Sequence, residues 1–119
     1  LAATARPTIH SADAIAALRG TVGEVGVRAH PVVTNSWVLS YLTPRQRTAY
    51  LDELDQLGRT RDLSWISAES PALTPELPVD PDVASEDVTA LTLVRWRAGV
   101  RTFETLATCH PHGYWIHWR

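Results

Sequence analysis

The stretch VVTNSWVLSYLTPRQRTAYLDELDQLG, residues 32–58, leaves this chain few ways to fold. Pro31 through Thr34 supply β-branched side chains and read as a buried strand of the parallel type, apolar on both faces. Asn35-Ser36 break that run, and Trp37-Val38-Leu39 and Tyr41-Leu42 begin to pack against the sheet. Thr43 suits an N-cap and Pro44 the first helical position, so a helix is predicted to about Leu57, ended by Gly58. Along it Tyr50, Leu51, Leu54 and Leu57 recur at helical spacing, with Arg45, Arg47, Asp52, Glu53 and Asp55 toward water.

The flanks extend this strand–turn–helix unit. Ser11 fits an N-cap before a short helix over 12–18 that ends near Gly20, and Asp13 falls in its first turn, where the helix dipole favours a carboxylate. Residues 20–31 carry three glycines without the GxGxxG spacing, which predicts a flexible connection and not a phosphate cradle. Leu63–Ser67 read as a second core strand, followed by Glu69, so the two strands and their helix form a βαβ unit. Residues 70–88 are proline-rich and acidic and predict a long loop, with helix at most over 84–88. Residues 89–96 and 100–108 then make an antiparallel hairpin turned by Arg97-Ala98-Gly99. A polar turn, Cys109-His110-Pro111-His112-Gly113, leads to a final aromatic strand over 114–118.

With 119 residues the chain holds at most one domain. A hydrophobic content of 45% and a net charge of −2 describe an ordinary globular protein, neither disordered nor polybasic. All eleven basic residues are arginine and are dispersed among thirteen acids, so no nucleic-acid surface is indicated. No apolar run approaches the ~20 residues that span a bilayer, so no membrane partner is expected. The single cysteine, Cys109, excludes an internal disulfide and points to a reducing, cytoplasmic setting.

In open parallel sheets, ligands sit beyond the carboxyl ends of the strands. Three places put polar groups there: His10–Asp13, Asn35-Ser36 and Ser67–Glu69. A shared ligand cleft and ordinary helix-entry chemistry both account for them. Cys109, His110, His112 and His117 match no zinc spacing, and structural or hydrogen-bonding histidines are favoured, so no metal is expected. Ser36 lacks the flanking glycines of a nucleophile elbow, and nothing in the sequence activates Cys109 as a nucleophile. Glu69 reads as an exposed loop carboxylate, or as a general base if it is buried in a cleft.

Residues 32–58 resemble the fourth strand and following helix of class I S-adenosylmethionine-dependent methyltransferases. DLSWISAE is similar to their fifth strand, and the 89–108 hairpin to their sixth and seventh. The chain more closely resembles an actinobacterial family, domain of unknown function 2332. That likeness rests on Asn35–Leu42, Trp65–Glu69 and the closing HPHG-x-W of His110–Trp115, and covers roughly residues 8–119. The resemblance implies an α/β fold: the C-terminal half of a Rossmann-like sheet with a C-terminal antiparallel hairpin, residues 1–119 being one partial domain. It implies methyl transfer to an unknown substrate, with S-adenosylmethionine bound only in the full-length parent. Asp13, Asn35, Ser36 and Trp37 would border the cofactor, and Glu69 and His112 the substrate.

The glycine-rich first loop and the acidic second-strand end of those methyltransferases have no counterpart here, and His30-Pro31 replace the usual acid before the fourth strand. A sheet built from this segment alone would contain a gap. The expected partner is therefore the missing N-terminal half, or a second copy meeting it through exposed sheet edges. Two further readings remain open: a non-catalytic binding or scaffold module of the same fold, and a hydrolase or metal site at the HPHG turn. The direction of the 89–96 strand decides whether that turn emerges beside Asn35 or away from it.

Overall fold

The computed structural model describes residues 6–77 and 88–119. Among these residues two helices, α1 (Ala14–Glu24) and α2 (Pro44–Thr60), accompany five strands: β1 (Val32–Ser36), β2 (Leu63–Glu69), β3 (Thr89–Arg97), β4 (Val100–Cys109) and β5 (Ile116–Trp118). The strands form one open mixed sheet in sequence order, β1 to β5. β1 and β2 are parallel neighbours joined through α2, with Asn35 opposite Ser67. β3 runs antiparallel to β2, β4 to β3 and β5 to β4. The described strands are therefore contiguous, and the gap expected in the sheet is not there. The expected helix over 84–88 lies outside the described residues.

α2 forms where its local signals place it. Thr43 Oγ1 accepts from the Gln46 N–H, the Gln46 side chain accepts from the Thr43 N–H at 2.9 Å, and Pro44 opens the first turn. The helix does not stop at Gly58, however; it continues to Thr60. Gly58 is needed for packing, because a Cβ there would overlap the Trp96 ring on β3. Of the five charged residues expected to face water, Arg47, Glu53 and Asp55 are half-buried. Arg47 donates to the Leu39 and Leu42 carbonyls, Glu53 pairs with Arg19 of α1, and Asp55 accepts from Trp96 and Arg101. The helix is thereby tied to α1, to the preceding turn and to the sheet.

α1 starts later than Ser11 would place it. Asp13 is the N-cap, its Oδ1 accepting from the Ile15 and Ala16 N–H groups at 3.0 and 2.9 Å, and the helix runs on past Gly20 and Gly23 to Glu24. Arg61, at the end of α2, holds the following connection by donating to the carbonyls of Val22, Val25 and Ala29. Leu18 and Val22 of α1 join Tyr50, Leu54 and Leu57 of α2 in one core. The sheet's part of that core is Leu63 and Trp65 on β2 with Val94 and Trp96 on β3. Alternation puts these four on one face, Trp65 opposite Val94 and Leu63 opposite Trp96.

β1 is not the doubly buried strand that its composition suggests. Among the described residues it is an edge strand, paired only with β2, and Val32 is 51% exposed. The hairpin turn is tighter than three residues: Arg97 pairs with Val100 across Ala98-Gly99, both at positive φ (49° and 78°). Asp62 accepts from the Ala98 N–H at 2.9 Å and pins that turn. The final strand is three residues long and exposed. Among the described residues no helix is long and apolar enough to cross a membrane.

Candidate functional site

Because β1 and β2 are parallel and in register, Asn35 and Glu69 end on the same edge of the sheet, and alternation along β2 puts Trp65, Ser67 and Glu69 on one face. Glu69 is neither an exposed loop carboxylate nor open to a ligand. It is the last residue of β2 and only 2% exposed. Its Oε1 accepts three hydrogen bonds: from Asn35 Nδ2 and the Val38 N–H, both at 2.7 Å, and from the Leu39 N–H at 3.1 Å. Asn35 Oδ1 in turn accepts from the Trp65 indole N–H. A chain of polar contacts thus runs from the core tryptophan through Asn35 to Glu69 and into the turn after β1. The second carboxylate oxygen, Oε2, is buried with no hydrogen-bond partner among the described residues.

This anchoring fixes an unusual backbone. Trp37 sits between Asn35 and the two amides held by Glu69, and its φ is +54°. A bulky residue in the left-handed region costs on the order of 1–3 kcal/mol and persists only where its surroundings over-determine it. Here the surroundings are the Glu69 bonds and a bond from the Trp37 N–H to the Ala68 carbonyl at 3.1 Å. Residues 39–41 follow as a single 3-10 turn with Leu39 fully buried beneath it.

The antiparallel run of β3 settles where the HPHG turn emerges. Glu69 pairs with Ala90 and Thr89 with Cys109, so β4 returns the chain to the edge that carries Asn35. Pro111 and His112 form one wall of a cleft there, and Trp37, Ser40 and Tyr41 the other, around about 360 Å³. His112 makes no hydrogen bond to Asn35 or Glu69. Its backbone N–H donates to His110 Nδ1 at 3.0 Å, which fixes the His110 proton on Nε2. The His110 ring also stacks at a tilt on Tyr114, with centroids 4.7 Å apart.

Of the residues singled out from sequence, Asn35, Trp37 and Glu69 are brought together, and His112 faces Trp37 across the cleft. Asp13 stands apart, its Oδ1 committed to capping α1. Ser36 is exposed at the end of β1, on the opposite face of the strand from Asn35. Trp65, Ser40, Tyr41 and Pro111 were not among the site residues expected from sequence, and Tyr41, expected to pack against the sheet, is 88% exposed. The period of two through Trp65, Ser67 and Glu69 was the available signal for the first of them.

Tyr50 of α2 stacks edge-on to Trp65, with centroids 6.0 Å apart. Burial, and secondarily the nearby Glu69 charge, push its hydroxyl up to about 12. Burial also pushes the Cys109 thiol up, which keeps it protonated and a poor nucleophile. Among the described residues no three His, Cys, Asp or Glu side chains are grouped to hold a metal ion.

The family model described as "Uncharacterized protein conserved in bacteria (DUF2332)" matches residues 1–118. No curated protein and no solved structure matches the chain.

Proposed function

Starting from the fact that the chain belongs to this bacterial family, we propose that its cleft at the carboxyl edge of the sheet is the substrate side of an S-adenosylmethionine-dependent methyl-transfer site in the full-length parent. The observation that carries the reading is Trp37. A buried carboxylate holds its turn in a costly left-handed conformation, and the indole borders a cleft whose far wall is His112. Strain of this kind concentrates at ligand sites.

The residues present suit such a ligand. Trp37 and Tyr41 offer aromatic faces, which attract a cationic or planar group within ~6 Å of the ring. The cofactor would supply an electrophilic methyl group on a sulfonium. Orientation then contributes most of what the protein must add, since well-aligned reactants gain roughly 7–11 kcal/mol from lost freedom already accounted for. Asn35 positions the turn through its bonds to Glu69 and Trp65. His112 is the cleft-lining group able to accept a proton from a substrate nucleophile.

The parallel β1–α2–β2 unit supports the Rossmann-like reading of the sheet, of which this chain would be the C-terminal half. The edge of β1 left unpaired among the described residues is the natural seat of the partner, either the preceding half or a second copy. A cytoplasmic location accords with the single cysteine. Light scattering tests the open edge: a stable monomer of this chain alone counts against it. Calorimetry with S-adenosylmethionine on the full-length parent tests the ligand. Saturable heat, weakened at least tenfold by Trp37→Ala, is expected; no heat and no thermal shift at millimolar ligand sinks the proposal.

One observation favours a second reading, a binding module without chemistry. Among the described residues, the carboxylate that contacts this turn is buried and spends one oxygen on backbone and amide donors, and the Cys109 thiol is held protonated. Ligand binding to the parent without methyl transfer to any acceptor would select it.

A further inference from the structure

The carboxyl-edge cleft is lined by Trp37, Ser40, Tyr41, Pro111 and His112, and both of its walls are fixed before a ligand enters. On one side, the Glu69 bonds to the Val38 and Leu39 amides hold the turn that carries Trp37 at its left-handed φ. On the other, proline has a fixed φ, and three bonds close the turn around Pro111. The His110 N–H donates to the Trp115 carbonyl at 3.1 Å, the Gly113 N–H to the His110 carbonyl at 2.9 Å, and the His112 N–H to His110 Nδ1 at 3.0 Å. Walls set in advance spare a ligand the cost of ordering them. They present an indole and a phenol opposite a pyrrolidine and an imidazole, surfaces on which a planar ring can stack.

The polar groups narrow the ligand further. Among the described residues no Asp, Glu or Arg lines the cleft, so a charged ligand would shed water there without an ion partner. Ser40 Oγ spends its proton on the Trp37 carbonyl at 3.2 Å. The His112 ring makes no hydrogen bond within the described residues, and a neutral imidazole keeps one nitrogen that accepts. We propose that the cleft takes a neutral planar ring carrying one hydroxyl, a phenol-type molecule, whose O–H donates to His112. As an account of the methyl acceptor this rests on the methyl-transfer reading; as a binding preference it does not.

Fluorine NMR on the full-length parent tests it with four probes: para-fluorophenol, para-fluoroanisole (the O-methyl form, without the donor), para-fluorobenzoate and para-fluorobenzylammonium. The phenol is expected to bind, with the anisole about fivefold weaker for the lost hydrogen bond. Both ions should be weaker by about tenfold or more for their unpaired charge. Trp37→Gly removes the indole and suits the positive φ, so it should abolish binding. His112 is exposed, so His112→Phe should leave the fold intact while keeping a flat ring without an acceptor. It should erase the advantage of the phenol over the anisole. No binding of the phenol, equal binding of the anisole or of either ion, binding unaltered by Trp37→Gly, or an advantage that survives His112→Phe overturns the proposal. Selective phenol binding without heat from S-adenosylmethionine defeats only the methyl-transfer reading; heat without phenol binding defeats only this one.

Discussion

Replacing Glu69 tests whether the turn that carries Trp37 is held from below. In Glu69→Ala three donors lose their shared acceptor: Asn35 Nδ2, the Val38 N–H and the Leu39 N–H. A buried donor left unpaired costs about 1–3 kcal/mol. The site is part-buried at Asn35 and Val38, so water recovers some of that loss, and about 3–4 kcal/mol of destabilisation is expected in total. Glu69→Gln is milder. Its amide oxygen can keep the three bonds, but its NH₂ then occupies the position of Oε2, which has no partner, at about 1–3 kcal/mol. With a urea m-value of roughly 1–3 kcal/mol/M, the alanine variant should lower the midpoint by more than about 1 M, and the glutamine variant by less. Hydrogen exchange supplies the local readout: the Val38 and Leu39 amides should lose protection in Glu69→Ala even under native conditions. A midpoint for Glu69→Ala within error of the parent, or unchanged exchange at those amides, refutes the anchoring role.

Other perturbations probe the scaffold. Gly58→Ala would gain helix propensity of about 1 kcal/mol, but its methyl group meets Trp96, which is 2% exposed and bonded to Asp55. A net loss of about 1–3 kcal/mol is therefore expected in thermal unfolding. Thr43→Ala removes the capping box and should cost about 1 kcal/mol, read from the same unfolding curves. Tyr50 ionises near 10 when unfolded and near 12 when folded. Its contribution is thus fully present below pH 10 and lost as pH rises toward 12, about 2–3 kcal/mol in all. The sequence has no lysine to titrate in that window. Tyr50→Phe should flatten the alkaline limb of stability, measured by urea midpoints between pH 9 and 12 (roughly the span over which tyrosine ionises).

What could be read from the sequence was what is local. The Thr43-Pro44 start of α2 and the 89–108 hairpin depend on neighbours in the chain; the first stands as expected, and the second does so with a turn of two residues where three were expected. Helix ends were less legible. Ser11 and Asp13 are both good caps, and only the fold shows that Asp13 reaches the free N–H groups. Gly58 carries a stop signal that the contact with Trp96, far along the chain, overrides. Val32 looks buried by composition, but its exposure was decided by its position on the edge of the sheet. The same holds at the candidate site. Asn35 stood out as a polar break in an apolar run, whereas the burial of Glu69 depends on the register between β1 and β2. The meeting of His112 with Trp37 depends on β3 turning back against β2, which the proline-rich loop did not reveal.

The most direct test of the proposed site is to find where S-adenosylmethionine would touch. Ultraviolet crosslinking of methyl-labelled S-adenosylmethionine to the full-length parent, followed by peptide mapping, locates the contact. Label on the peptides that carry Trp37 and Tyr41, or on the one with His112, is the expected result, reduced in Trp37→Ala. Saturable labelling confined to peptides outside residues 35–41 and 109–115, or no competable labelling at all, would contradict it.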